Sequence, residues 1–170
     1  MVPQKPLPES TIAKIGDLQS APKADLLALR AALEIVMKHR KIAFSVGDIG
    51  EQLVMGLYNS TPGLPNLQLA PTGTKNVDAL SREGDRYSIK TVWNARKTGT
   101  IYPDADHENR QLFEYLVVAK LNDQLTLEAA YEFDWQTFVD VRKWDKRMSA
   151  FYVGLSRKAL AMARPVRLPQ

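Results

Sequence analysis

Apolar residues recur at helical spacing twice in the first third of the chain, and alternation takes over after that. In "SAPKADLLALRAALEIVMKHR", Leu26, Leu29, Leu33 and Val36 fall on one helical face. Ser20 can cap this helix and Pro22 suits its first turn. It ends in a basic patch, Lys38, His39, Arg40 and Lys41, which fits a solvated helix end that favours the dipole. "SVGDIGEQLVMGLYNS" predicts a second helix. Ser45 and Asp48 stand at capping-box spacing, with Asp in place of the usual Glu. Ile49, Leu53 and Leu57 form one stripe, while Val54, Met55 and Tyr58 share a face with Glu51.

Strand patterns come next. "STPGLPNLQLAPTGTK" reads as loop, with a short strand at 67–70. "NVDALSREGDRYSIKT" reads as strand, turn, strand. Val77 and Ala79 point one way there, and Asp78 and Leu80 the other. On the second strand Tyr87, Ile89 and Thr91 share a face, and Ser88, Lys90 and Val92 share the opposite one. Residues 93–110 are polar and irregular, a length that in a compact domain predicts a functional or mobile loop. "QLFEYLVVAKL" and "LTLEAAYEF" predict two strands joined at "NDQ". "DWQTFVDVRKW" predicts a short helix capped by Asp134. "AFYVGL" predicts a last strand or a lead into a helix around "SRKALAMA". The sum is an α/β fold, a mixed β-sheet flanked by α-helices. Residues 1–9 carry three prolines and predict a flexible arm, with 10–170 as a single domain.

Composition narrows the chemistry. The chain has 170 residues, 45% hydrophobic and 25% charged, enough to bury a core without staples. Cysteine is absent, which excludes disulfides, thiolate zinc sites and cysteine nucleophiles. "MVPQKPLPES" lacks the apolar core of a signal peptide, and no run of roughly 18 apolar residues occurs. A cytoplasmic protein is the expectation. Net charge is +4 and the pI about 9.3, a mild bias that permits a polyanionic partner without demanding one.

Glu51 is the first candidate for chemistry. A carboxylate on a mostly apolar helix face needs a cation, a hydrogen-bond partner or a route to water. Pairing with a nearby lysine at the edge would account for it equally well. Beyond Glu51 the chain runs through a strand, a strand opening with Asp78, a turn, and a strand carrying Ser88 and Lys90. This order, on "GEQLV", "NVDAL" and "YSIKT", resembles the PD-(D/E)xK nuclease superfamily, which has the restriction-endonuclease-like fold. The likeness spans roughly 45–135 and extends weakly into "FEYLVVAKL" and "YEFDWQTF". It implies a metal-dependent DNA endonuclease. Asp78 would be the main ligand of a magnesium ion, for which manganese can substitute. Glu51 would supply a second carboxylate and Ile89 a backbone carbonyl. Lys90 would orient the attacking water or stabilise charge on the phosphate. Small members of the superfamily often dimerise to cut both strands, so a homodimer is expected.

Ser88 departs from the pattern, because most members carry Asp or Glu there. A serine hydroxyl is a poor magnesium ligand, so Ser88 is expected to hydrogen-bond instead. Glu51 is the first candidate for the missing charge. Asp104, Asp106 and Glu108 are the second group, similar in spacing to restriction enzymes that join a Ser-x-Lys to a relocated acid; a solvated loop explains them too. If Asp78 opposes Lys90, Leu80 opposes Ser88 and the hairpin needs an odd-numbered loop or an equivalent bulge. Lys75, Arg96 and Lys97 are candidate DNA contacts. Arg142, Lys143, Lys146 and Arg147 form a further basic strip, which a solvated helix face also explains. His39 and His107 are too few and too far apart for a metal pair, and "APTGTKN" lacks the glycine spacing of a phosphate loop. The three tryptophans read as packing residues. The alternative function is a catalytically inactive nucleic-acid-binding or assembly subunit that retains the nuclease fold.

Overall fold

A computed structural model of the chain describes residues 16–42, 45–71, 73–107 and 110–168. The predicted arm at 1–9 and the candidate acid Glu108 lie outside the described residues. The chain divides into two compact units, Val2–Ser45 and Val46–Gln170.

The first unit carries helix α1, Lys23–His39. Pro22 precedes it in an extended conformation, which suits a residue without an N–H to lose. Ser20 does not cap it, contrary to the sequence expectation: no side chain does, and the Ser20 hydroxyl donates to the Asp17 carbonyl at 3.1 Å. Lys41, at φ +55, closes the C-terminal end, where the Ile42 N–H reaches the Met37 carbonyl at 2.9 Å. No residue of α1 is buried among the described residues.

The second unit begins with α2, Val46–Ser60. Strands β1 (Leu67–Leu69), β2 (Ala79–Ser81), β3 (Arg86–Trp93), β4 (Tyr115–Leu121) and β5 (Leu127–Asp134) come after it. Then come α3 (Trp135–Val141), β6 (Arg142–Asp145), β7 (Ala150–Val153), α4 (Arg157–Met162) and β8 (Arg164–Val166). Six strands form one sheet in the order β1–β2–β3–β4–β5–β8. β3 and β4 run parallel and the other neighbours antiparallel, so the sheet is mixed. β6 and β7 form a separate antiparallel hairpin.

Each face of the sheet has its own core. Val54, Leu57 and Tyr58 of α2 pack on Tyr87, Ile89, Val117 and Ala119. On the other face Val92, Leu116, Val118 and Phe133 meet Phe138 of α3 and Phe151 and Val153 of β7. β3 is therefore buried on both sides, as a strand with a parallel neighbour tends to be. The α/β class and the mixed sheet flanked by helices agree with the sequence. Asp134 caps α3 as expected, accepting from the Thr137 N–H at 2.7 Å.

Three elements differ from expectation. The helix begun at Trp135 stops at Val141, because Arg142 turns extended and its strand pairs with β7. Arg164–Val166 adds an edge strand beside β5, where a proline costs no ladder bond on its outer side. Part of the predicted loop is tied down at 98–101: Ile101 is fully buried and pairs with Phe151, and the Thr98 hydroxyl accepts from the Val153 N–H at 3.0 Å. No helix among the described residues is long and apolar enough to cross a membrane.

Candidate functional site

The β2–β3 hairpin turns through three residues, 82–84, between Ser81 and Asp85. The Ser81 N–H donates to the Asp85 carbonyl at 2.9 Å, and the Ser81 hydroxyl accepts from the Asp85 N–H at 3.1 Å. Gly84 sits at φ +94, a conformation that needs glycine at this point. The loop is odd-numbered as expected, but the register is not the one expected. Ala79 pairs with Tyr87, and Leu80 with Arg86 where Ser88 was expected; Asp78, expected inside the strand, lies just before β2 and outside its ladder. The loop has the same three-residue length as in the expected register but is centred one residue earlier, on Glu83. The Asp78 carboxylate and the Lys90 ammonium nevertheless meet, 3.5 Å apart.

Asp78 is held from both flanks. Its N–H donates to the Tyr87 carbonyl at 2.8 Å, and its carbonyl accepts from the Ala70 N–H at 3.0 Å. Its carboxylate then takes the place of a missing strand at the β3 edge. Oδ2 accepts from the Ile89 N–H at 2.6 Å and from the Ser88 hydroxyl at 3.3 Å. The Lys90 ammonium lies 3.5 Å from the same oxygen and donates to the Ile89 carbonyl at 3.3 Å. Both side chains are about a fifth exposed, 21% for Lys90 and 23% for Asp78, so the pair is open to a ligand yet partly shielded from water. Ser88 is fully buried.

Glu51 reaches this edge from α2 through an unusually close helix–strand contact. A Cβ on Gly50 would lie 1.8 Å from Thr91 Oγ1, so only glycine lets the helix backbone come this near to β3. The Thr91 hydroxyl also donates to the Gly47 carbonyl at 3.3 Å. Glu51 is half-buried, and burial pushes its carboxyl above the ordinary range. The negative charges of Asp78 and then Asp48 push it the same way, while the Lys90 ammonium opposes them. Glu51, Asp78 and Lys90 thus share one electrostatic environment. Among the described residues no group of three or more His, Asp or Glu gathers as a ligand set.

Of the downstream acids, Asp104 is otherwise engaged. Asp104 Oδ1 accepts from the N–H groups of Asp106 and His107, each at 3.1 Å, and Oδ2 pairs with Arg110 at 3.4 Å. These bonds hold the Asp104 carboxyl below its ordinary range. Asp104 and Asp106 line a cavity of about 650 Å³ with Lys75, Asn76 and Tyr102, to which Glu51, Asp78 and Lys90 do not contribute. Lys75 therefore lines the same cavity as these two acids. Arg96 is exposed. Lys97 pairs with Asp145 at 3.1 Å and lies 4.5 Å over the Tyr152 ring. Of the tryptophans, Trp135 packs on Phe113 and Phe138, whereas Trp93 and Trp144 are 40% and 43% exposed.

A larger cavity, about 720 Å³, opens beside Tyr87, Tyr115, Glu132 and Arg164. Sequence reasoning did not single out Glu132, although it is buried. It accepts from the Tyr58 hydroxyl at 2.6 Å and from two guanidinium nitrogens of Arg164 at 2.9 and 2.6 Å. Burial, then the charge of Glu132, raises the Tyr58 hydroxyl pKa, which keeps it a donor. Every polar group in this trio has a partner, and the trio joins α2 to β5 and β8. Its only sequence signal is a glutamate inside the strand "LTLEAAYEF".

No protein-family model matches the chain, and no curated protein does. Two carboxylates and a backbone carbonyl are hard oxygen donors, the kind that magnesium and manganese prefer. The raised Glu51 pKa reflects in part a like-charge repulsion that a divalent cation between Glu51 and Asp78 would relieve. The donor set fits such an ion.

Proposed function

We propose that the protein is a metal-dependent DNA endonuclease on a restriction-endonuclease-like scaffold. The observation that carries this reading is the Asp78 carboxylate 3.5 Å from the Lys90 ammonium, with the Ile89 backbone at the same strand edge. Asp78, Glu51 and the Ile89 carbonyl would hold magnesium or manganese. The ion, when bound, supplies charge for the attacking water and for the departing oxygen of a phosphodiester. Lys90 acts beside it. Its ammonium releases the Ile89 carbonyl and donates instead to the attacking water or to a phosphate oxygen. Ser88 binds no metal in this scheme. Its hydroxyl keeps Asp78 Oδ2 aimed along the β3 edge. A homodimer would bring two such sites to the two strands of a duplex.

A second reading has its own observation. β3 carries no second acid, and the Lys90 ammonium occupies both Asp78 and the Ile89 carbonyl. A site neutralised by its own lysine suits a nucleic-acid-binding subunit that no longer cuts. Supercoiled plasmid separates the two readings. The endonuclease reading expects nicking and linearisation in magnesium or manganese, none in EDTA, and none from Asp78→Ala or Lys90→Ala. Plasmid left intact by wild type across metals, with DNA still bound, would decide for the binding subunit.

A further inference from the structure

The hairpin β6–β7 has a strongly basic tip that the proposed active site does not use. Lys143, Lys146 and Arg147 are exposed and make no ion pair among the described residues. Asp145, the one acid on the two strands, is already matched by Lys97 at 3.1 Å. The tip therefore carries uncompensated positive charge. Sequence pattern alone fits either a basic strip or a solvated helix face. On a hairpin the charges project from a narrow ribbon instead.

That ribbon is held rigidly. Asp145 Oδ1 accepts from the N–H groups of Arg147 and Met148 at 3.1 and 3.3 Å, which fixes the tip loop. The Arg142 guanidinium lies 3.9 Å over the Phe151 ring, and Trp144 meets the same ring edge-on at 4.8 Å. The segment leaving β3 pairs along the outer side of β7: Ile101 and Phe151 exchange both backbone hydrogen bonds, at 2.8 and 2.9 Å. The hairpin is thus coupled through the chain to the strand that bears Lys90.

We propose that the β6–β7 hairpin is a docking surface for duplex DNA, its tip entering a groove and its cations meeting backbone phosphates. The major groove, about 12 Å wide, admits a two-stranded β-ribbon. Phosphate contacts set affinity and position without reading sequence. Trp144, 43% exposed beside Lys143, adds a flat apolar surface against sugar or base. The choice of partner rests on the endonuclease reading, but the test does not need cleavage.

The test is fluorescence anisotropy of a labelled duplex in EDTA, as a function of salt. Removing two phosphate contacts should lower the slope of log affinity against log salt by about 1.8, which is roughly 60-fold in affinity at ~0.1 M salt. Lys146→Ala/Arg147→Ala is expected to show that loss. Lys38→Ala/Arg40→Ala, with the same change in net charge, should show little. Circular dichroism melts confirm that both variants fold. Equal losses in the two variants, no loss in the hairpin variant, or a larger loss on a single strand than on the duplex would each overturn the assignment. A duplex-binding protein with a hairpin-dependent slope that leaves plasmid intact would sustain the docking surface and remove the endonuclease reading.

Discussion

Gly50→Ala is the sharpest structural perturbation, because it tests the contact that delivers Glu51. The added Cβ would meet Thr91 Oγ1 at 1.8 Å, Cγ2 at 2.6 Å and Cβ at 2.7 Å. A rotamer change can move the first two atoms, but the Thr91 Cβ is fixed to the strand. Carbon atoms prefer about 3.5–4.0 Å, so α2 must retreat from β3 by about 1 Å. Overpacking of this kind costs about 1–3 kcal/mol. Alanine in a helix interior returns about 1 kcal/mol of propensity, which would blur a single measurement. Gly56→Ala on the same helix removes that ambiguity, since nothing lies within 4 Å of its added Cβ. The difference between the two variants isolates the steric term at about 1–3 kcal/mol, or roughly 2–12 °C in melting temperature for a chain of this size. Thermal and urea unfolding supply the assay, and Thr91→Gly in a double-mutant cycle should recover most of the loss. Equal stability of Gly50→Ala and Gly56→Ala would refute the close contact, and with it the route by which Glu51 reaches Asp78.

Glu51→Gln should stabilise the metal-free protein at neutral pH. The Glu51 pKa is raised in the folded state, so its ionised form is disfavoured there; the gain should vanish as pH falls below the ordinary carboxylate range, where both states are protonated. Denaturant midpoints across pH give the answer, and a gain that persists in acid would contradict it. Ser88→Asp should place a second acid beside Asp78 and destabilise the metal-free protein, with manganese restoring part of the loss; melting curves with and without the ion read both effects, and an unchanged metal-free midpoint would contradict the expectation. Tyr58→Phe leaves one Glu132 oxygen without its buried donor and should cost about 1–3 kcal/mol in urea unfolding. A cost near zero would mean that the trio is not holding α2 to the sheet.

Residues whose placement depends on near neighbours were legible from the sequence. The faces of α2 and β3, the Asp134 cap and the order of strands β1 to β5 all reflect local spacing, with periods of about 2 or 3.6 residues. The carboxylate–lysine pair was legible because the two residues flank one short hairpin, which brings their side chains within 3.5 Å. The register itself was not, since loops 82–84 and 83–85 have the same length and local spacing does not choose between them. The polar 93–110 segment reads as a functional or mobile loop, and the anchoring of Thr98 and Ile101 is not legible there because their partners on β7 lie far along the chain. Arg164 and Glu132 likewise meet only when β8 docks on β5. The end of α3 was misjudged for the same reason: pairing with β7 outweighs the local preference of "RKW".

The central claim is that Asp78 acts through its charge at a metal-dependent phosphodiesterase site. Asp78→Asn tests it most directly, because the amide oxygen can still accept from the Ile89 N–H and the Ser88 hydroxyl while the charge is gone. The measurement is the initial rate of plasmid cleavage in magnesium, wild type against Asp78→Asn, with both proteins melting at similar temperatures. The account predicts cleavage by wild type and a rate lower by at least ~100-fold in the variant, about 2.7 kcal/mol of transition-state stabilisation. Cleavage by the variant at the wild-type rate, or none by wild type, would contradict it.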